Sequence, residues 1–74
     1  MSAPRLTPAT VRVIHGVATE IVHIVEHVGA RRVTLRMAGG SPRYYSLTDG
    51  YQYGEGYSVI HSDDLEALRA VRRG

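Results

Sequence analysis

Cysteine is absent from this 74-residue chain, and so are lysine, asparagine, phenylalanine and tryptophan. Without cysteine there is no disulfide to staple the fold and no thiolate to serve as nucleophile or metal ligand. Lys, Asn and Phe use codons that begin with AA or TT, so their joint absence points to a GC-rich genome. No run approaches the ~20 apolar residues that a membrane helix needs. The opening Met1-Ser2-Ala3-Pro4-Arg5 lacks the apolar core of a signal peptide. The expectation is a cytoplasmic protein without a membrane partner. Charge of one sign is also lacking: nine Arg oppose seven acidic residues, a net charge of +2. That balance is too mild to imply nucleic acid by itself.

What is present is enough for one small domain. Apolar residues make up 43% of the chain, but a core this thin lies near the stability limit, so a homo-oligomer that buries more surface is one way to gain stability. Residues 1–9 hold Pro4 and Pro8 and read as a flexible lead-in; residues 10–74 read as the domain. Across residues 10–28, Val11, Ile14, Ala18, Ile21, Val25 and Val28 have a heptad-like spacing that a helix would use. Against it, eleven of these nineteen residues are Val, Ile or Thr, and Gly16 interrupts the run. β-Branched enrichment favours strands. Arg32 to Met37 then alternates polar and apolar, as a half-buried strand does.

Gly29-Ala30 suits a two-residue hairpin turn. That turn pairs His27 with Arg32, Val25 with Thr34 and His23 with Arg36 on a polar face. The opposite face carries Ile24 with Leu35 and Val22 with Met37, and Glu26 falls opposite Val33. Val22, Ile24, Val33, Leu35 and Met37 are therefore expected to face the core. Further strands are expected near 11–15, 43–47 and 57–61, beside those at 20–28 and 31–37. Ser62 is a capping residue for a helix near 63–73, with Asp63, Asp64 and Glu66 at its positive end and Arg69, Arg72 and Arg73 at its negative end. The fold class is α+β, mostly β: four or five antiparallel strands as a curled sheet or small Src-homology-3-like barrel, with a short C-terminal helix.

Three constellations bear on function. His23-Ile24-Val25-Glu26-His27 matches the H-x-x-E-H pattern of zinc-dependent inverzincin proteases. That chemistry needs both His on one helical face; on a strand they lie ~13 Å apart at about 3.3 Å per residue, so the match reads as coincidence and no metal is expected. The second is the polar face itself, where His23, His27, Arg32 and Arg36 form an anion-binding candidate suited to phosphate, nucleic-acid backbone or an acidic protein. The third is aromatic. All five tyrosines fall between positions 44 and 57. Tyr45 and Tyr57 are expected in the core, while Tyr44, Tyr51 and Tyr53 with Arg43 are candidates for partner contact. Ser46, Ser58 and Ser62 lack a nearby base in the sequence, so no catalytic set and no cofactor are expected.

The stretch from Arg43 to Tyr57, following a strand of the type Arg-Val-Thr-Leu-Arg, contains a T-G-x-x-x-G-like turn, here Thr48-Asp49-Gly50 and then Gly54. Over about residues 20–61 the chain resembles small β-rich accessory proteins of actinobacterial phages. The resemblance implies a phage or mobile-element accessory role and assigns no site residues. The reading is a non-enzymatic binding module that engages a host protein or a second copy of itself, with Arg/His-mediated binding of nucleic acid or nucleotides as the alternative.

Overall fold

In a computed structural model, which describes residues 7–54 and 57–73, five antiparallel strands precede one helix. They are β1 (Thr10–His15), β2 (Thr19–Val28), β3 (Arg32–Arg36), β4 (Arg43–Ser46) and β5 (Ser58–Ile60), followed by α1 (Ser62–Arg73). Most of the expected lead-in lies outside the described residues. Ala9 is not loose, because its carbonyl accepts the Val25 N–H at 3.0 Å.

The run 10–28 is two strands rather than a helix. Gly16 has φ +67° and opens the turn between β1 and β2, where His15 pairs with Thr19. Glycine tolerates this left-handed conformation at no steric cost. The strand order is β4-β3-β2-β1-β5. Tyr51 and Gln52 then bridge the two edges: Gln52 pairs with Tyr45 of β4, and Tyr51 pairs with Val59 of β5. The Ser46 N–H donates to the Tyr51 carbonyl, and the Gln52 N–H to the Ser58 carbonyl. The sheet thus curls into a nearly closed barrel, which leaves little open edge to pair with another chain.

The hairpin between β2 and β3 differs from its expected register. Gly29 N–H donates to the Arg32 carbonyl at 2.8 Å, so the chain reverses around Ala30-Arg31, one residue later than expected. Val28 pairs with Val33 and His27 with Thr34, whereas Val25 pairs with Leu35 and Ile24 with Arg36; a β-bulge separates the two registers at Glu26. A bulge inserts one unpaired residue and bends its strand. Before it, Ile21, His23 and Val25 face inward; after it, Val28 does. Val22 and Ile24, expected in the core, therefore face outward, and Val22 is 60% exposed. Met37, also expected inside, lies past the end of β3 and is exposed. Val33 and Leu35 are fully buried, as expected.

The core joins Val11, Val13, Val33, Leu35, Tyr45, Leu47 and Ile60 to Leu65 and Leu68 of α1, with Val25 and Val28 packed against it. Tyr57, expected among them, is 76% exposed: Ser58 and Ile60 take the inward positions of β5, and Tyr57 precedes the strand. The helix cap also differs from expectation. The His61 carbonyl accepts the Leu65 N–H, and its ring Nδ1 accepts the Asp63 N–H at 3.2 Å, so His61 takes the capping role assigned to Ser62.

Candidate functional site

The direction of each strand sorts the barrel into two ends. At one end, α1 is joined to β1 and to the segment that follows β4. Asp64 accepts the Arg12 backbone N–H at 2.7 Å and the Arg12 guanidinium at 3.0 and 3.1 Å. Arg69 donates to the carbonyls of Leu47 and Thr48. Leu65 and Leu68 cover this end. Among the described residues, no helix covers the other end. There the last residue of β1, the first half of β2, the first residues of β4 and the start of β5 surround a cavity of about 220 Å³.

The polar lining of this mouth is His15, His23, Arg43, Tyr45, Gln52 and Ser58. Ile21 and Met37 complete the wall with apolar surface. His15 and Ser58 are cross-strand partners, and His15 Nδ1 shares a 2.6 Å hydrogen bond with Ser58 Oγ. His23 is only 5% exposed. Its Nδ1 donates to the Ile21 carbonyl at 3.2 Å, which leaves Nε2 as the acceptor of the neutral ring. The ring edge stands against Tyr45 at 6.1 Å between centroids, and the Tyr45 hydroxyl reaches Gln52 Oε1 at 3.5 Å. Burial holds the His23 pKa below its ordinary value; the Ile21 carbonyl opposes that shift, and the nearby Arg43 and His15 reinforce it. Burial thus favours the neutral imidazole of His23, whose described neighbours in the mouth are His15, Arg43, Tyr45, Gln52 and Ser58.

The expected polar patch is divided. His23 faces the cavity, whereas Arg32, Arg36 and His27 lie on the outer wall, because the bulge changes the phase of β2 between the two histidines. The H-x-x-E-H residues accordingly place their two imidazoles on opposite faces of the sheet. Glu26, expected on the apolar face, is exposed and bonded to Arg36, which neutralises one charge of the proposed anion site.

The aromatic candidates separate in another way. Tyr45 and Gln52 are paired and face inward, so alternation puts Tyr44, Tyr51 and Tyr53 on the outer wall. The Tyr53 N–H donates to the Tyr44 carbonyl at 2.9 Å, making these two exposed rings direct cross-strand neighbours. The Arg32 guanidinium lies 4.6 Å from the centre of the Tyr44 ring, within cation–π range. Arg43, grouped with these tyrosines from sequence, lines the cavity on the other face.

Two mouth residues had no signal in the sequence. His15 and Ser58 are 43 positions apart and meet only because β5 pairs with β1. The view that Ser58 lacks a nearby base is therefore corrected. The residue is 2% exposed, and its bond to His15 ties β5 to β1. Comparison with protein-family models, curated proteins and solved structures finds no match for the chain.

Proposed function

We propose that this protein is a non-enzymatic binding module whose outer tyrosine strip docks on a protein surface. The observation that carries this reading is the cross-strand placement of Tyr44 beside Tyr53, both solvent-exposed, with Tyr51 two residues along the same strand face. Tyrosines offer large contact area at low cost in side-chain entropy, and they are enriched where partners bind. Arg32 is the cation stacked on this strip, while several other arginines among the described residues are paired with carboxylates. Arg36 is engaged by Glu26, Arg12 by Asp64 and Arg69 by Glu66. Binding to a phosphate backbone draws on many uncompensated cations, so a protein surface is the better match. An accessory role of the phage type, engaging a host component, is consistent with this chemistry.

The test is affinity capture from a GC-rich host with three baits: wild type, Tyr44→Ala/Tyr53→Ala, and Arg43→Gln. A partner retained by wild type and Arg43→Gln but lost from the tyrosine variant supports the strip. Identical partners from all three baits would count against it. One observation favours a second reading: Arg32 stacked on Tyr44 is also a platform for an unpaired base. Saturable binding of single-stranded oligonucleotides that weakens steeply with salt would replace the protein reading with this one.

A further inference from the structure

The first half of β2 carries apolar residues on both faces. Ile21 points inward beside Val13, while Val22 and Ile24 point outward. Strands that are apolar on both phases belong to sheets covered on both faces, yet Val22 is left 60% exposed. It is not alone. Among the described residues, the three most exposed large apolar side chains are Val17, Tyr57 and Val22. Val17 lies in the β1–β2 turn. Tyr57 is held beside that turn by its carbonyl, which accepts the Gly16 N–H. Ile14 and Val59, cross-strand partners on the outer face of β1 and β5, adjoin them.

The charges set among these residues indicate what covers the wall. On the paired strands β1 and β2, Ile14 is opposite Glu20 and Arg12 is opposite Val22. All four point outward, because Val11 and Val13 fill the inward positions of β1. They form a four-cornered unit with Ile14 and Val22 on one diagonal and Arg12 and Glu20 on the other. A two-fold axis laid in the interface along the Ile14–Val22 diagonal brings each of those two residues against its own counterpart. The same rotation exchanges the other corners, so Glu20 of each copy comes over Arg12 of the other. Corners are about 4.8 Å apart across the strands and about 6.7 Å apart along them, so the exchanged pair meets within the reach of its long side chains. Arg12 grips Asp64 through Nε and Nη2, which leaves Nη1 for a second carboxylate. The wall is thus complementary to itself in apolarity and in charge, as an isologous contact requires.

Its size also fits. Six paired rungs of β1 and β2 run about 20 Å, and with β5 and the turn they offer ~600 Å² per copy, the lower end of specific interfaces.

We propose that the outer wall of β1, β2 and β5 is the interface of a homodimer, in which Ile14 and Val22 pack on their counterparts and Glu20 meets Arg12 of the second copy. This surface is distinct from the tyrosine strip, because Tyr44 is on β4 and Tyr53 beside it.

The experiment is sedimentation equilibrium on the full chain from about 1 µM to about 500 µM, the range in which so small a contact dissociates. The apparent mass of wild type should rise from 8.1 kDa toward twice that value. Val22→Asp and Glu20→Arg should each weaken association by about tenfold or more; both sites are exposed, so the melting temperature of the dilute monomer should stay as in wild type. Tyr44→Ala/Tyr53→Ala should dimerise like wild type, which separates this interface from the strip. Because the chain has no cysteine, Val22→Cys supplies a single thiol. Sheets packed face to face lie about 10 Å apart, a gap that a short bis-maleimide spans, so Val22→Cys should cross-link to itself and Tyr53→Cys should not. A chain that stays monomeric across the range, a dimer that persists in Val22→Asp, a dimer lost in the tyrosine variant, or cross-linking at position 53 in place of 22 would each overturn the proposal.

Discussion

The two ends of the barrel are built from the same five strands and differ in almost every other respect. At the closed end, Leu65 and Leu68 of α1 join the core cluster that includes Val11, Val33 and Leu47, and polar groups at its rim are paired: Asp64 with Arg12, Arg69 with two backbone carbonyls. At the open end, the side chains continuing the same inward rows are His15, His23, Arg43 and Gln52. A small barrel needs one well-packed end to fold, because a domain of this size has little stability to spare. Once the helix supplies that end, the other is free to carry polar groups that a core would not tolerate. The difference teaches that in a short chain one packed end can carry the fold while inward positions at the other end stay polar.

That contrast is open to direct attack. The largest effect is expected from Leu68→Ala at the closed end, which should cost ~2–5 kcal/mol as a large-to-small change in a fully buried site. Met37→Ala at the mouth should cost less than ~1 kcal/mol, since Met37 is exposed. Urea unfolding of the two variants measures the gap; equal losses would mean that the mouth is as much a core as the helix end.

Gly50→Ala comes next. Gly50 has φ +84°, and a Cβ there would sit 3.1 Å from Leu65 Cδ2. Strain of this kind costs ~1–3 kcal/mol, so the variant should melt measurably lower, through a helix that no longer seats. Asp64→Ala removes the acceptor of the Arg12 N–H and should cost about 1 kcal/mol, the penalty for a backbone donor left unmade. The exposed guanidinium pair adds little.

Titration separates the two ends without large substitutions. The Arg12 bonds hold the Asp64 carboxyl below its ordinary pKa. The folded state therefore binds this proton less readily than the unfolded chain, and the closed end's contribution is complete above the ordinary carboxylate range and lost as pH falls through the depressed value. Burial lowers the His23 pKa as well. Between that lowered value and the ordinary imidazole pKa, the unfolded chain binds more protons, so stability falls as pH drops through this window, well before Asp64 titrates. Melting curves against pH should show both limbs in wild type, only the acid-most limb in His23→Gln, and only the upper limb in Asp64→Ala. A wild-type profile flat across the imidazole range would remove the distinction. The smallest effect is expected for Arg36→Ala, within about 0.5 kcal/mol by thermal or urea unfolding, because its pair with Glu26 is on the outer wall.

The chain's own pattern went far toward the architecture and stopped short of the mouth. Alternation in Arg32–Arg36 places Val33 and Leu35 inside without any partner strand. β-Branched density decides strand over helix for residues 10–28, and acidic residues followed by arginines mark α1. In β2, however, Ile21 and Val25 lie on one phase and Val22, Ile24 and Val28 on the other. Both phases are apolar, so the local pattern cannot say which faces inward, and a one-residue slip exchanges the two faces entirely. The choice was made by distant partners: Val11 opposite His23, Val13 opposite Ile21, and a bulge at Glu26 that lets Val28 turn back toward the core. Composition and periodicity thus determined the elements, because they are short-range properties of the backbone and its solvent. Only the tertiary structure decided that His23 is buried, that His15 meets Ser58, and that Arg43 joins them. Those positions follow from which strands pair and in what register, which depends on packing between residues far apart in the chain.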